Sequence, residues 1–298
     1  MIRCGGLLEA KNLSGSERYK GQNIRIMRMN RDELVGYYLN NRNEFMAEDG
    51  HEKLLVGLKK FMKPIETEDK IVGIDVGCCV GEYIKHIYEL CMEQNKDILC
   101  FEPNPINNSI LEQRIANIPF IHLFKHCVSN ETTTASFYNW KDNQQNYTGN
   151  GVAGLRSGGT KICDTDVKKL DDVLDQFYGG QDIVIKFLKV DTEGNDTNVL
   201  KGFQKYLSKT RYIIFECSDC LDDMRGPGIK NPMKDVVEFL SANGFDTYRI
   251  GTKKLFKVND EYWSQIYDDV KFWSNCFALR KGDTIINELV NERFDYLF

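Results

Sequence analysis

The hydrophobic positions change rhythm twice along the chain, and those changes mark out its architecture. Between 32 and 63, Leu34, Tyr37 and Tyr38 and then Leu54, Leu55, Leu58, Phe61 and Met62 recur at helical spacing, with Asp49-Gly50 as a break between two helices and Pro64 as a stop. From 71 onward short apolar runs alternate with helical stretches: strand 71–76, helix 82–93, strand 98–101, helix 106–117, strand 120–128. That order predicts a doubly wound, mostly parallel sheet with helices on both faces, an α/β fold.

After 128 the rhythm changes. Residues 132–138 are β-branched and aromatic, an extra strand, and 139–166 are polar with Gly149, Gly151, Gly154, Gly158 and Gly159. A loop of that length is either functional or disordered. Helix 167–177, strand 183–190, helix 197–207 and strand 212–217 then restore the alternation. The run 183–190 is almost continuously apolar, as a central strand buried on both faces should be, with Lys186 and Lys189 as interruptions. A loop over 219–232, a helix over 233–243, strands over 245–250 and 275–279, and an amphipathic C-terminal helix carrying Ile285, Ile286, Leu289, Val290, Phe294 and Leu297 complete the reading. The division expected is a basic leader with a helical extension over 1–65 and one domain over 66–298.

Composition fits this picture. Of 298 residues 42% are apolar and 28% charged, enough for a sizeable core and unlike a disordered chain. The apolar runs fall far short of the ~18 residues of a membrane span. Glu9 and Lys11 interrupt the apolar start, so a secretory signal is not expected and the reading is intracellular. The ten cysteines are scattered, several within strand-like runs (Cys100, Cys127, Cys217), which suits reduced, packed thiols rather than a disulfide framework. Cys217 and Cys220 make a lone Cys-x-x-Cys with no second pair at zinc spacing.

Net charge is −5, but residues 1–31 hold seven basic side chains against Glu9 and Glu17, which leaves −10 on the remainder. An acidic body argues against a broad nucleic-acid surface, although a basic arm can touch phosphate.

The densest chemistry lies at 71–82, where an apolar strand runs into Asp75-x-Gly77-x-x-x-Gly81 and then a helix. Glycines at such a turn let a ligand approach the backbone and the helix N–H groups. A dinucleotide site needs a glycine two positions before Gly77, and here that position is Asp75, a carboxylate that repels diphosphate and favours a sulfonium or ammonium group. S-adenosylmethionine therefore suits the turn better than NAD. Glu102 ends the next strand, 27 residues after Asp75, close to the spacing that puts an acid on ribose hydroxyls. As plain structure, the glycines would be a turn and Glu102 a helix cap.

These elements, followed by Val128-Ser129-Asn130 before an extra strand and by Lys189-Val-Asp191-Thr-Glu193-Gly194 with Val199-Leu200-Lys201-Gly202, resemble the FkbM-type S-adenosylmethionine-dependent methyltransferases. The resemblance covers roughly 70–220. It implies a class I methyltransferase (Rossmann-like) fold acting mostly on hydroxyl groups of sugars or polyketide-type products, and it adds Val128 and Ser129 to Asp75, Gly77, Gly81 and Glu102 as cofactor residues. Cys78-Cys79 departs from the family's usual small or amide residues, and residues 1–65 have no counterpart in it.

Lys189, Asp191 and Glu193 straddle the carboxyl end of the central strand, where open α/β sheets bind ligands. The expectation is Asp191 as general base, Glu193 as a second acid or acceptor-positioning group and Lys189 tuning their charge. The bland alternative makes the acids a cap and first turn of the next helix, with Lys189 a salt-bridge partner. Glu216 could complete an acidic cluster able to hold Mg²⁺, but no metal ligands are assigned. His86, His122 and His126 share no metal spacing. Trp140, Tyr147 and Arg156 would serve as an acceptor wall. The acceptor expected is a hydroxyl-bearing glycan or small molecule. Ribose 2′-O-methylation of RNA and a non-catalytic cofactor-binding module are the alternatives.

Overall fold

The computed structural model describes residues 18–19, 22–23, 26–27, 29–45, 49–139, 150–152, 160–216, 232–270, 272, 274–292 and 294–297. Helices Arg31–Asn40 (α1), Arg42–Phe45 (α2) and Asp49–Phe61 (α3) lead into strand Lys70–Val76 (β1), buried at every position after the first. There follow Ile84–Leu90 (α4), Lys96–Phe101 (β2), Pro105–Ile115 (α5) and Ile121–Phe124 (β3). Next come Cys127–Val128 (β4), Thr133–Asn139 (β5) and Thr160–Lys168 (β6). The alternation resumes with Leu170–Tyr178 (α6), Ile183–Val190 (β7), Asp196–Lys201 (α7), Thr210–Glu216 (β8) and Met233–Ala242 (α8). Phe245–Ile250 (β9), Lys254–Lys257 (β10), Asn275–Arg280 (β11), Ile285–Glu292 (α9) and Asp295–Leu297 (β12) close the chain.

The ten-stranded sheet runs β3-β2-β1-β7-β8-β11-β9-β10-β12 and ends on the two-residue strand Ile26–Met27. β3, β2, β1, β7 and β8 are mutually parallel, while β11 is antiparallel to both β8 and β9. With helices on both faces this is the doubly wound, mostly parallel α/β sheet that the sequence leads one to expect. A smaller sheet, β4-β6-β5 and Asn150–Val152, stands beside it.

Two hydrophobic clusters cover the faces of the large sheet. One joins Val72, Ile74 and Val76 to Leu34 and Tyr38 of α1 and to α6, α7 and α8; the other joins Ile71, Ile98 and Phe187 to Leu54, Leu55 and Leu58 of α3 and to α4 and α9. The N-terminal helices thus pack in the same cores as the sheet. Local chemistry fixes several ends: Asn30 and Glu33 form a reciprocal capping box on α1, Asn104 caps α5 ahead of Pro105, and Gly179 closes α6 in the left-handed conformation at φ 58°.

β7 explains its two lysines. Its register against β1 shifts between Ile185 and Phe187, so Ile185 and Leu188 serve one core and Phe187 the other, with Lys186 at the irregularity. Lys186, almost wholly buried, pairs with Glu93 at 2.7 Å. Lys189 belongs to the site below.

The chain departs from the sequence reading in several places. Thr160–Lys168, expected as the end of a loop and the start of a helix, is a strand antiparallel to β5, and the helix begins only at Leu170. Thr160, Ile162, Thr165 and Val167 carried that β-branched signal. The run expected as one strand over 120–128 is two strands in two sheets. Asp49 and Gly50 open α3 rather than break a helix. The C-terminal helix stops at Glu292, and residues 295–297 pair in parallel with β10, a strand not foreseen. Trp140, Tyr147, Arg156, Cys217, Cys220 and the 219–231 loop lie outside the described residues, as does most of the basic leader.

Candidate active site

The chain runs outward from β1 through β2 and β3, then returns to start outward again from β7 through β8. Between β1 and β7 lies the switch point, and ligands of open α/β sheets bind beyond the carboxyl ends of such a pair. Gly77 follows β1 with φ 78°, a conformation that favours glycine. Asp191 follows β7, and its N–H donates to the Val76 carbonyl at 3.0 Å. Glu193 turns the chain toward α7 at φ 58°, rare for a side chain with a Cβ.

A cavity of about 400 Å³ opens over these strand ends. Gly77, Glu102, Val128, Lys189, Asp191 and Glu193 line it, and Glu216 at the end of β8 joins them. Three expected residues stand elsewhere. Asp75 is fully buried, is not among the cavity-lining residues, and faces Lys189. Gly81, at φ 87°, lets the turn pack against Leu111 and Ile84. Ser129 is buried, its N–H donating to the Lys168 carbonyl at 2.9 Å.

The Lys189 ammonium links Asp75 to the cavity wall. It lies 3.4 Å from Asp75 Oδ1 and 3.3 Å from Asp191 Oδ2, donates to the Gly77 carbonyl at 3.3 Å, and stands 5.2 Å from the centre of the Tyr83 ring. Burial alone would lower its pKa, but Asp191 and Asp75 more than offset that and hold it above the usual lysine value. Lys189 stays charged. Asp191 is the more open of its partners, its side chain 37% exposed.

Glu102 takes backbone N–H donors on both oxygens, from Cys79 at 2.9 Å and Asn104 at 2.8 Å. Burial nevertheless pushes its carboxyl up to about 7, the donors pulling the other way. Beside it, Asn107 Oδ1 is buried and has no hydrogen-bond donor among the described residues, and the same holds for Thr192 Oγ1 on the other side of the cleft.

Several wall residues escaped the sequence reading, three of them far apart along the chain. His51 of α3, Tyr83 ahead of α4 and Asn275 at the start of β11 line the cavity together, separated by stretches that no local pattern connects. Of the other histidines, His86 and His126 also line the cavity, with His86 facing the Lys59 ammonium at 3.0 Å and His126 the Cys127 carbonyl at 2.9 Å, while His122 faces Asp97 at 3.3 Å. Among the described residues no group of His, Cys, Asp and Glu side chains is arranged to hold a metal ion, and no helix is long and apolar enough to cross a membrane.

The glycine turn and the strand-end acids fall inside the segment 75–247, which matches the family model of the methyltransferase FkbM domain. The chain belongs to that family. The FkbM match begins at Asp75 and ends in β9. Among curated proteins none matches the chain. Solved structures similar to it include methyltransferase FkbM from Methylobacillus flagellatus KT, at 12% identity over 83% of this chain and 59% of that one, TM-score 0.43. This chain thus spans under two thirds of that protein's length. An O-methyltransferase from Bacillus cereus in complex with SAH is similar at 11% identity over 84% and 90% of the two chains, TM-score 0.40. One from Streptomyces achromogenes in complex with SAM stands at 11% identity over 84% and 88%, TM-score 0.40. Likenesses this distant add nothing to the assignment, which rests on the FkbM model.

Proposed function

We propose that the chain transfers the methyl group of S-adenosylmethionine to a hydroxyl of a glycan or related small molecule, with Asp191 as the general base. The observation that carries this reading is the placement of Asp191: at the switch point, on the cavity wall, partly open to solvent and 3.3 Å from a buried ammonium.

The cleft suits the cofactor. Ribose hydroxyls are donors, and Glu102 with the donorless Asn107 Oδ1 offers acceptors next to each other on the β2 side. Gly77 lines the cleft in backbone contact with Asp191, and Val128 supplies an apolar wall. Asp75 acts on charge through Lys189 rather than by contact. When bound, S-adenosylmethionine supplies an electrophilic methyl carbon on a sulfonium sulfur.

The chain's own part is positioning and proton transfer. Alignment of the acceptor oxygen with the methyl carbon at roughly 3 to 3.5 Å supplies much of the acceleration. Asp191 takes the acceptor's hydroxyl proton as the oxygen–carbon bond forms and the carbon–sulfur pair returns to sulfur. Glu193 positions the acceptor, and Lys189 keeps Asp191 in place by their ion pair. Glu82, Glu193 and Glu216 line the same cavity, while Lys189 is already committed to two carboxylates, so a phosphate-rich acceptor such as RNA is disfavoured.

Parallel calorimetric titrations with S-adenosylmethionine, S-adenosylhomocysteine and NAD test the cofactor. Binding of the first two alone supports the reading; binding of none by folded protein, or of NAD, removes it. Release of S-adenosylhomocysteine on a panel of glycosides, polyols and phenols then tests the acceptor class, and release only with RNA would replace that class.

A further inference from the structure

His51 is contributed by α3, before the family-matched segment, and Asn275 by β11, after it. The two meet inside the cleft. Asn275 Nδ2 lies 2.9 Å from His51 Nδ1, and His51 Nε2 lies 2.7 Å from the Tyr83 hydroxyl. An amide nitrogen only donates, so Nδ1 is the ring's acceptor and Nε2 carries the hydrogen. That hydrogen goes to the Tyr83 oxygen, which leaves the phenol's own O–H to turn elsewhere.

The Tyr83 ring is fixed from its other sides. It stacks on Phe187 at 6.4 Å with 17° between planes, and the Lys189 ammonium stands over it. The same ammonium pairs with Asp191. The phenol is thereby anchored beside the ammonium that pairs with Asp191.

Resting on the methyl-transfer reading above, we propose that His51 is a positioning residue for the acceptor: locked by Asn275, it holds the Tyr83 phenol so that its O–H donates to an oxygen of the hydroxyl-bearing acceptor next to Asp191. The acceptor end of the cleft is then built from both sides of the family segment, and this chain's substrate choice resides partly in α3. The protonation state agrees. Burial first, then Lys189, pull the His51 ring down to about 4, with His86 adding to the pull and Asp191 opposing it. The phenol is held well above its usual value by burial, with Lys189 opposing and Asp75, Glu52 and Asp191 adding to the rise. Both groups are neutral at pH 7.

The test has two arms. Long-range nitrogen–proton spectra of protein carrying ¹⁵N-histidine, titrated between pH 4 and 8, read the ring directly. The expected result is a His51 that stays neutral and Nε2-protonated down to pH 5, and that Asn275→Ala, which removes the amide opposing protonation of Nδ1, shifts upward by a unit or more. A His51 that titrates near 6.5 in the unaltered protein overturns the proposal. In the second arm, any acceptor that releases S-adenosylhomocysteine is used for kinetics. His51→Leu and Tyr83→Phe should each raise the acceptor KM about tenfold with binding of S-adenosylhomocysteine unchanged, and His51→Gln, which keeps an N–H at the Nε2 place, should recover most of the loss. Equal KM in His51→Leu and unaltered protein overturns the positioning role. Turnover on no acceptor, with the ring neutral and Nε2-protonated, would instead sink the methyl-transfer reading, and this role with it, while leaving the His51–Tyr83 pairing intact.

Discussion

A Cβ on Gly77 would stand 1.8 Å from the carbonyl oxygen of Asp191. The turn after β1 and the turn after β7 therefore touch by backbone alone, and the cofactor loop and the proposed base hold one another in position. Gly77→Ala would have to push the two strand ends apart and also adopt φ 78°. We expect a stability loss of about 2–4 kcal/mol from strain of this kind, read as a lower urea midpoint, together with at least tenfold weaker binding of S-adenosylhomocysteine.

Replacing the base should separate binding from chemistry. Asp191→Asn keeps the side chain's shape and removes the proton acceptor, so turnover should fall about 10²–10⁴-fold while the dissociation constant of S-adenosylhomocysteine stays within about threefold. Unchanged turnover would shift the base to Glu193 or Glu216.

Glu102 should give the proposed cofactor site a pH dependence near neutrality. Its carboxyl titrates around 7 in the folded protein against an ordinary value of about 4.3. A carboxyl raised on folding binds its proton more tightly in the native state. Its contribution to stability is therefore most favourable below the ordinary value and declines as pH rises toward 7. Ribose hydroxyls donate to the ionised form, so binding runs the other way: S-adenosylhomocysteine should bind several-fold more tightly at pH 8 than at pH 6. Glu102→Gln should abolish that slope, and calorimetry at both pH values checks it.

Asp75 is a carboxyl that water does not reach: burial pushes it above the usual aspartate value, and the Lys189 ammonium pulls it back down. Lys189→Met leaves Asp75 buried without its ammonium and should cost about 3–5 kcal/mol, the usual penalty for breaking one side of a buried pair. Adding Asp75→Asn removes the stranded charge and should return much of the loss. Equilibrium urea unfolding of the two single variants and the double variant measures the coupling.

The sequence conveyed the parallel sheet because its strands are short apolar runs between helices, each read from its own neighbours: β1, β7 and β9 fall within a residue of where the pattern puts them. It also brought Gly77, Glu102, Lys189 and Asp191 to one cleft, since a strand's carboxyl end is a place that order alone defines. What it missed depends on distance. Asp75 heads the glycine motif along the chain, and only the fold shows it buried against Lys189 from another strand. His51 has no motif around it and acquires meaning only when Tyr83 and Asn275 arrive. The small sheet was hidden because the glycines between 149 and 159 outweighed the β-branched alternation that follows them.

β11 lies between β8 and β9, hydrogen-bonded to both, although it comes after both in the chain and after the last family-matched residue. A polypeptide cut to 75–247 would lack a plank from the middle of its own floor, leaving two raw sheet edges where the Glu216 and Asn275 ends now adjoin. The matched segment and the physical unit thus differ here: the sheet of one is completed by a strand threaded in from beyond it. Grafting this catalytic segment into another scaffold would succeed only if the scaffold supplied a replacement for 275–280.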